Sequence, residues 1–487
     1  MRRSGTRFCM TPPRLRFAPS PTGFLHIGGV RTALYCWLWA KQKGGNFILR
    51  IEDTDRDRHT PEAVDAIYES MKWLGLDWDE GPLTGGPDAP YFQSERLEVY
   101  RKYADKMLES GHAYRCYCSK EDLAAAREAH KQSGSKDRFR YPGTCRDRDD
   151  NPDLPWVLRF RVPEDATRSW NDLVKGEIEV PGFTHQDFVI FRQNGLPLYN
   201  FACVIDDAEM NIDTVIRGED HVINTAPQIL LYEALGLTVP TFGHLPLILA
   251  NNGQKLSKRF AAVSTLAYRE MGYLPGAVLN YLARLGWSHG DKEIFSLDEL
   301  VELFNWKGCG TSGAKYDEKK FAHVQAEHLR AMPDADLAAL VAPLFPSELE
   351  VDGTDARLLA ALPMIKPRAT SLHDIVEGCD YFFRDPPALE EKGQRKFLVP
   401  ANAPRLRSLA DLVEGVETFD AETLKAQVDE WLAREEIRLK EVAQPARVAL
   451  SGRTKSPGIY EVMVVLGREM SLRRLRAGAD LCESNEP

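Results

Sequence analysis

Two stretches of the sequence combine residue types that handle phosphate. The first runs Arg16-Phe17-Ala18-Pro19-Ser20-Pro21-Thr22-Gly23-Phe24-Leu25-His26-Ile27-Gly28-Gly29. A Gly- and Pro-rich turn feeding a helix N-terminus presents backbone N–H groups and the positive end of the helix dipole to an anion. His26, at the mouth of that turn, can donate a further hydrogen bond to a phosphate oxygen. The glycine spacing matches neither a dinucleotide fingerprint nor a P-loop, and a His beside two glycines is also what an ordinary turn contains. The second stretch is Lys255-Leu256-Ser257-Lys258-Arg259, on a loop that follows Asn251-Asn252-Gly253-Gln254. Two lysines three apart can swing two ammonium groups onto a polyphosphate; alone, the same run reads more readily as a solvated basic loop.

The elements around these residues must place them. Leu15-Arg16-Phe17-Ala18 reads as a strand, and Arg31 to Ala40 carries apolar residues at helical spacing before Gly44-Gly45. A second strand, Phe47 to Ile51, precedes a helix predicted from Pro61 to Leu74, with Thr60 as its cap and Pro61 at its first position. Strand and helix alternate, which indicates an α/β, doubly wound parallel sheet. From 113 to 199 the character changes to closely spaced cysteines, a polar helix over Ser119–Gln132 and β-like pieces such as Trp156–Val162, so this part reads as an insertion. The alternation resumes with strands at Val204-Ile205-Asp206-Asp207 and Val215-Ile216-Arg217-Gly218. Beyond 265 almost every segment is an amphipathic helix, for example Leu274–Leu285 and Ala421–Glu435.

Length and composition bound the answer. At 487 residues the chain has room for roughly three domains. Its 43% hydrophobic and 28% charged residues are ordinary globular usage and exclude a low-complexity or disordered chain. A formal net charge of −10 excludes a wholly basic surface, so nucleic acid would meet local patches. No apolar run is long enough for a membrane span, and the basic N-terminus lacks the apolar segment of a secretory signal. Residues 1–13 read as a flexible extension, with Met10 an alternative start. Nine scattered cysteines argue against a disulfide framework and for a reducing, cytoplasmic setting.

Taken together, His26-Ile27-Gly28-Gly29 and Lys255-Leu256-Ser257-Lys258-Arg259 resemble the two signatures of class I aminoacyl-tRNA synthetases. Arg50-Ile51-Glu52-Asp53-Thr54-Asp55, Tyr91-Phe92-Gln93-Ser94-Glu95-Arg96, Tyr199-Asn200-Phe201-Ala202 and Val215 to His221 narrow the resemblance to bacterial-type glutamyl-tRNA synthetase. The resemblance implies a Rossmann-like catalytic domain over 14–112 and 200–250, with an inserted α+β acceptor-binding domain at 113–199. It further implies an all-α continuation: a stem-contact domain at 251–330 and an anticodon-binding domain at 331–487. The implied activity is ATP-dependent attachment of L-glutamate to tRNA-Glu through a glutamyl-adenylate, with Mg²⁺ accompanying ATP. His26, Lys255 and Lys258 would be catalytic, and Pro19, Thr22, Gly28, Gly29 and Ser257 would complete the ATP site. Glutamate would be held by Arg16, Ser20, Glu52, Tyr199 and Arg217, two cations for its carboxylates and one anion for its ammonium. Arg368 would read an anticodon base.

The same resemblance implies a zinc knob at Cys116, Cys118 and Cys145, with Asp147 or, alternatively, Tyr141 as an oxygen ligand. A knob that folds without metal is the other reading. The chain is expected to be a monomer; whether tRNA-Gln is also charged stays open. A glutaminyl enzyme, a truncated paralogue acting on a modified tRNA base and a silent tRNA-binding relative are the competing readings. Absence of strand patterns after 330 disfavours the glutaminyl enzyme, and retention of the phosphate-handling residues disfavours a silent binder.

Overall fold

The computed structural model describes residues 12–54, 60–134, 139–148, 150, 152–182, 185–250, 252–254 and 264–484. The chain divides into two units, Met1–Arg269 with Pro275–Glu318, and Glu270–Leu274 with Lys319–Pro487.

The strands of the first unit are β1 (Arg14–Phe17), β2 (Asn46–Leu49), β3 (Ala113–Cys116), β4 (Val157–Phe160), β5 (Arg168–Asp172), β6 (Gly176–Val180), β7 (Phe188–Phe191), β8 (Thr214–Gly218), β9 (Thr241–Leu245), β10 (Ile248–Leu249) and β11 (Ala314–Lys315). Four of them form one sheet in the order β2-β1-β8-β9, with every neighbouring pair parallel. The chain leaves β1 towards β2 on one side and leaves β8 towards β9 on the other. Such a reversal opens a crevice beyond the carboxyl ends of the two central strands, where open α/β sheets bind their ligands.

The first unit's leading helices are α1 (Ile27–Lys43), α2 (Pro61–Leu74), α3 (Leu97–Glu109), α4 (Lys120–Gln132), α5 (Tyr199–Glu209) and α6 (Val222–Leu235). α2 spans the predicted residues because its ends are coded locally: the Thr60 hydroxyl accepts from the Ala63 N–H, Pro61 takes the first position, and Gly75 closes the helix at φ 71°. Ile48, Val215 and Phe242 of the sheet pack against Tyr100 and Met107 of α3, Phe201 and Ile205 of α5, and Leu230 and Leu231 of α6. α1 packs on β1 and β2 and also against the helix Pro275–Arg284, where the Tyr35 hydroxyl donates to the Ala283 carbonyl at 2.9 Å.

One expected strand is a helix. Val204-Ile205-Asp206-Asp207 forms the second half of α5, which begins at Tyr199. Phe201 through Ile205 are all at most 1% exposed, so the segment is apolar on every side and shows no period by which helix and strand could be told apart.

Residues between the sheet's two halves form their own layer. β3, β4 and β7 make an antiparallel sheet, and β5 and β6 an antiparallel hairpin. α4 starts on a capping box, Ser119 with Asp122. The hairpin reaches the parallel sheet, where the Leu173 N–H donates to the Phe242 carbonyl of β9 at 2.9 Å.

Among the described residues the second unit is helical throughout. Its helix Arg468–Ser484 passes close enough to Leu439–Ser451 that a Cβ on Gly478 would sit 2.5 Å from the Ala449 Cβ. Arg474, on the same helix, is buried and donates to the carbonyls of Tyr381, Leu450 and Arg384 at 2.8, 2.6 and 2.8 Å. No described helix is long and apolar enough to cross a membrane.

Candidate active site

The crevice beyond β1 and β8 is built from their last residues and from the segment that follows each strand. Arg16 of β1 is buried and spans Asp207 of α5, Nε to Oδ1 at 2.9 Å and Nη2 to Oδ2 at 3.2 Å, while Nη1 donates to the Ile216 carbonyl at 3.4 Å. The parallel ladder runs on past β2: the Arg50 N–H donates to the Phe17 carbonyl at 3.0 Å and the Glu52 N–H to the Pro19 carbonyl at 3.0 Å. Those two bonds bring Glu52 beside the Pro19-Ser20 turn. Arg50 is 0% exposed and bridges Asp207 at 2.7 Å and Glu52 at 3.1 Å. Asp206, next to Asp207 on α5, accepts from Gln93 at 2.8 Å, from Arg96 at 2.7 Å and from the Tyr100 hydroxyl at 2.8 Å.

Arg16, Arg50 and Arg96 thus meet Glu52, Asp206 and Asp207 in one buried network, three cations to three anions. Burial alone would raise the Asp207 carboxyl; the Arg16 and Arg50 guanidiniums outweigh it and hold it at about 2. Glu52 goes the other way, burial raising its carboxyl above the ordinary range against the pull of Arg50 and Arg16. Cys203 lies inside this network, its Sγ 3.6 Å from Asp207 Oδ2.

Arg217, near the end of β8, has different company. Its Nε donates to His244 Nε2 at 3.1 Å, Nη1 to Gln228 Oε1 at 2.8 Å and Nη2 to Thr225 Oγ1 at 2.8 Å, and its guanidinium lies over Phe242 at 5.4 Å. All these partners are neutral. Among the described residues no carboxylate forms an ion pair with Arg217, so its charge is held in place without being cancelled. Tyr199 opens α5 with its hydroxyl 3.2 Å from His221 Nδ1.

On the phosphate side, His26 is the N-cap of α1, its Nδ1 accepting from the Gly29 N–H at 3.2 Å. With Nδ1 an acceptor, the neutral ring carries its proton on Nε2, a donor suited to a phosphate oxygen. A Cβ on Gly28 would stand 3.0 Å from the His26 ring, and one on Gly29 2.9 Å from Leu25 Cδ1. Thr22 is exposed, its N–H donating to the Ser20 carbonyl at 2.8 Å across the turn. Lys255, Ser257 and Lys258 lie outside the described residues.

The three cysteines of the insertion converge: Sγ atoms of Cys116, Cys118 and Cys145 all lie within 4.8 Å of one another. Cys118 and Cys145 are 3.6 Å apart, close to the separation of about 3.8 Å that two sulfurs take on a tetrahedral zinc at about 2.3 Å. The Tyr141 hydroxyl is 3.3 Å from Cys116 Sγ and 3.8 Å from Cys118 Sγ and accepts from the Cys145 N–H at 3.0 Å, so it stands beside all three cysteines. Asp147, the first candidate for the fourth ligand, is turned away; its carboxylate pairs with Arg161 at 2.9 Å and its side chain is 86% exposed. Burial raises the Cys116 thiol, but hydrogen bonds from Tyr141 and Arg159 outweigh it and bring it below its ordinary value. Arg159 also lies over the Tyr141 ring at 3.9 Å, a cation beside a site whose thiolates would carry excess negative charge.

In the second unit Arg368 is exposed at the end of the turn Lys366–Arg368, and its Nη1 donates to the Ser456 carbonyl at 3.1 Å. Arg447 donates to the Ser456 hydroxyl at 3.0 Å, so two arginines meet at one loop.

Arg50, Asp206, Asp207, Gln228, Thr225, His244 and Asp172 were not singled out from the sequence. The signal for the first three was there: Arg50 stands between Leu49 and Ile51, and the two aspartates directly follow the apolar run Phe201–Ile205. A charge embedded in such a run needs a buried partner.

Comparison with known proteins agrees with this architecture. Residues 13–323 match the family described as "tRNA synthetases class I (E and Q), catalytic domain", and residues 336–479 match "Anticodon binding domain". Glutamate–tRNA ligase of Anaeromyxobacter dehalogenans is 50% identical over 96% of this chain and 98% of its own, and that of Geobacter sulfurreducens 46% over 96% and 98%. A crystal structure of a glutamate tRNA ligase from Elizabethkingia meningosepticum in complex with its amino acid superposes with a TM-score of 0.87 at 35% identity, covering 96% of this chain and 99% of that one. With a parallel catalytic sheet, a helical C-terminal unit and near full-length identity of this order, the chain belongs to the bacterial-type glutamyl-tRNA synthetases of class I.

Proposed function

We propose that the crevice beyond β1 and β8 is where this glutamate–tRNA ligase activates L-glutamate and passes it to tRNA-Glu. In the first step a carboxylate oxygen of the glutamate α-carboxyl group attacks the α-phosphorus of MgATP; the new O–P bond forms as the bond to pyrophosphate breaks. In the second, the 3′-terminal ribose hydroxyl of the tRNA attacks the activated carbonyl, loses its proton and releases AMP. No enzyme nucleophile is required, so catalysis rests on positioning and on stabilising charge that develops on phosphate oxygens.

The observation that carries the reading is the contrast between the buried arginines. Arg16 is already paired with Asp207, whereas Arg217 touches only neutral groups. L-Glutamate brings two carboxylates and one ammonium, hence one net negative charge, and Arg217 supplies the matching uncancelled positive one. Arg16 contributes the remaining donors of its guanidinium to a carboxylate. Glu52 and Ser20 receive the ammonium, and Tyr199 lines the pocket. Glutamine, lacking the second charge, would leave Arg217 without a counter-ion.

His26 and the α1 N-terminus, with Pro19, Thr22, Gly28 and Gly29 shaping the approach, serve the α- and β-phosphates. Lys255, Ser257 and Lys258 are assigned by their motif to the leaving pyrophosphate. The inserted segment 113–199 binds the acceptor end of the tRNA, 251–330 its stem and 331–487 the anticodon, with Arg368 reading a base. Cys116, Cys118 and Cys145, with Tyr141, would hold one structural Zn²⁺, and their thiolates would then tie β3 to the loop that bears Cys145.

Aminoacylation with labelled glutamate and glutamine, each on purified tRNA-Glu and tRNA-Gln, tests the reading. Glutamate on tRNA-Glu supports it, charging of tRNA-Gln as well makes the enzyme non-discriminating, and no charging by a folded sample refutes it. Lys258→Ala is expected to cost at least about 2 kcal/mol in the activation barrier, the scale of one lost charge-stabilising contact. Normal pyrophosphate exchange by that variant would remove Lys258 from the mechanism.

A further inference from the structure

Arg217 is steered from behind by groups that lie off the ligand's path. Its Nε donates to His244 Nε2, and the other ring nitrogen, Nδ1, faces Asp172 Oδ2 at 2.5 Å. Both His244 and Asp172 are fully buried as side chains. Asp172 ends β5, in the hairpin contributed by the inserted segment, whereas His244 and Arg217 stand paired in register on β9 and β8.

The three groups permit one arrangement of protons. An arginine Nε is always a donor, so His244 Nε2 must be bare to accept from it. Asp172 is tied down as a carboxylate: its Oδ1 accepts from the N–H groups of Val174, Lys175 and His244 at 3.1, 3.0 and 3.0 Å. Its Oδ2 is thus an acceptor towards the ring, and Nδ1 carries the proton. Burial keeps the imidazole from taking a second one, with the Arg217 charge acting in the same direction. The ring is therefore a neutral, oriented acceptor, and its tautomer is chosen by a residue of the insertion.

We propose that Asp172 and His244 are a positioning pair that fixes the Arg217 guanidinium for glutamate. Neither touches the substrate. With Nε committed to His244, Nη1 to Gln228 and Nη2 to Thr225, three of the five guanidinium N–H bonds are used, leaving one on each Nη for a carboxylate. A ring in the other tautomer would oppose N–H to N–H and push the fork out of line, which weakens a bidentate contact more than a point-charge one. The proposal rests on the assignment of Arg217 to a glutamate carboxylate.

The test is aminoacylation by the full-length enzyme with glutamate and ATP varied separately. His244→Leu removes the acceptor, His244→Gln keeps an oxygen near the Nε2 position, and Asp172→Asn leaves shape intact while offering the ring an N–H instead of an acceptor. His244→Leu and Asp172→Asn are expected to raise the KM for glutamate about tenfold or more, the loss of one charge-assisted hydrogen bond, with the KM for ATP changed less than about twofold. His244→Gln is expected to raise the glutamate KM less than about threefold. Equal damage by Leu and Gln, or parallel rises in both KM values, would mean a merely structural role and overturn the proposal. If His244→Leu does not fold, the contrast between the two isosteric variants decides on the same terms. Arg217→Gln separates the two layers: a parental glutamate KM in that variant overturns the assignment of Arg217 and the pair with it, whereas a raised one beside a parental value in Asp172→Asn overturns the pair alone.

Discussion

Arg16 grips both carboxylate oxygens of Asp207, at 2.9 and 3.2 Å, across 191 residues of chain. The first strand of the parallel sheet is thereby fastened to a helix that follows the whole insertion, and the guanidinium proposed to meet glutamate is held by a fixed anion.

That bond sets an acid limit on stability. The Asp207 carboxyl is moved from its ordinary 3.8 to about 2, against burial, by Arg16 and Arg50. A carboxyl lowered on folding contributes above its unfolded value and ceases to contribute as pH falls through the folded one; here the window is from about pH 4 down to about 2 and the contribution about 2 kcal/mol. Asp207→Asn is expected to lose about 3–5 kcal/mol at neutral pH, because it leaves the Arg16 guanidinium buried without a counter-charge and takes one of Arg50's anions away, and to show a shallower decline in denaturant-measured stability between pH 4 and 2. An unchanged acid slope would contradict the assignment of the shift to this pair.

His26 caps α1, and two substitutions can separate that role from the phosphate contact proposed for it. His26→Ala removes the α1 cap and is expected to lower stability by about 1 kcal/mol, whereas His26→Asn restores a capping acceptor and leaves stability near the parent's. Both should lower kcat by about a hundredfold or more, because alanine has no donor and the amide N–H groups of asparagine stand nearer the backbone than His26 Nε2 and fall short of the phosphate. Melting curves and single-turnover rates on the same preparations read the two effects independently.

Glutamate binding should be coupled to a proton. Burial holds the Glu52 carboxyl above its ordinary value in the free enzyme, and an arriving ammonium stabilises the ionised form. The KM for glutamate is therefore expected to rise as pH falls into the range where free Glu52 takes up a proton. The Glu52→Gln enzyme should have a high KM that no longer varies with pH through this group. A parallel pH profile in the two enzymes would count against Glu52 as the ammonium's partner.

Metal content tests the cysteine cluster. The purified chain is expected to carry one zinc, and Cys116→Ser or Cys145→Ser to lose it. Tyr141→Phe, which deletes only the hydroxyl beside Cys116 Sγ, should bind more weakly in a chelator competition. Asp147→Ala should keep its metal, since that carboxylate faces Arg161 and solvent. Metal-free protein with the parental melting curve would show that the knob folds on its own.

What could be read from the sequence followed the range of the forces involved. The start of α2 was legible because Thr60 and Pro61, adjacent in the sequence, cap it and take its first position; Gly75, which closes it, is equally local. α5 was not, because burial on all sides erased its period. Arg16, Glu52 and Arg217, proposed above to meet the substrate, were found through motif resemblance, and Arg50 stands in the same motif as Glu52, while Asp207, His244 and Asp172 come from distant stretches and meet these residues only in the folded chain. The fourth ligand of the cysteine cluster was left between Asp147 and Tyr141 for the same reason: the resemblance allowed both, and the pairing of Asp147 with Arg161 forms only in the folded chain.

The docked β5–β6 hairpin has a consequence beyond the active site. β9 is the last strand of the parallel sheet, and an uncovered final strand offers its backbone N–H and C=O groups to any other chain that can pair with them. The bond from Leu173 to Phe242, with Asp172 closing on His244, occupies that row. Shortening this hairpin is therefore expected to bare that edge and to yield a chain that aggregates before it loses its helices.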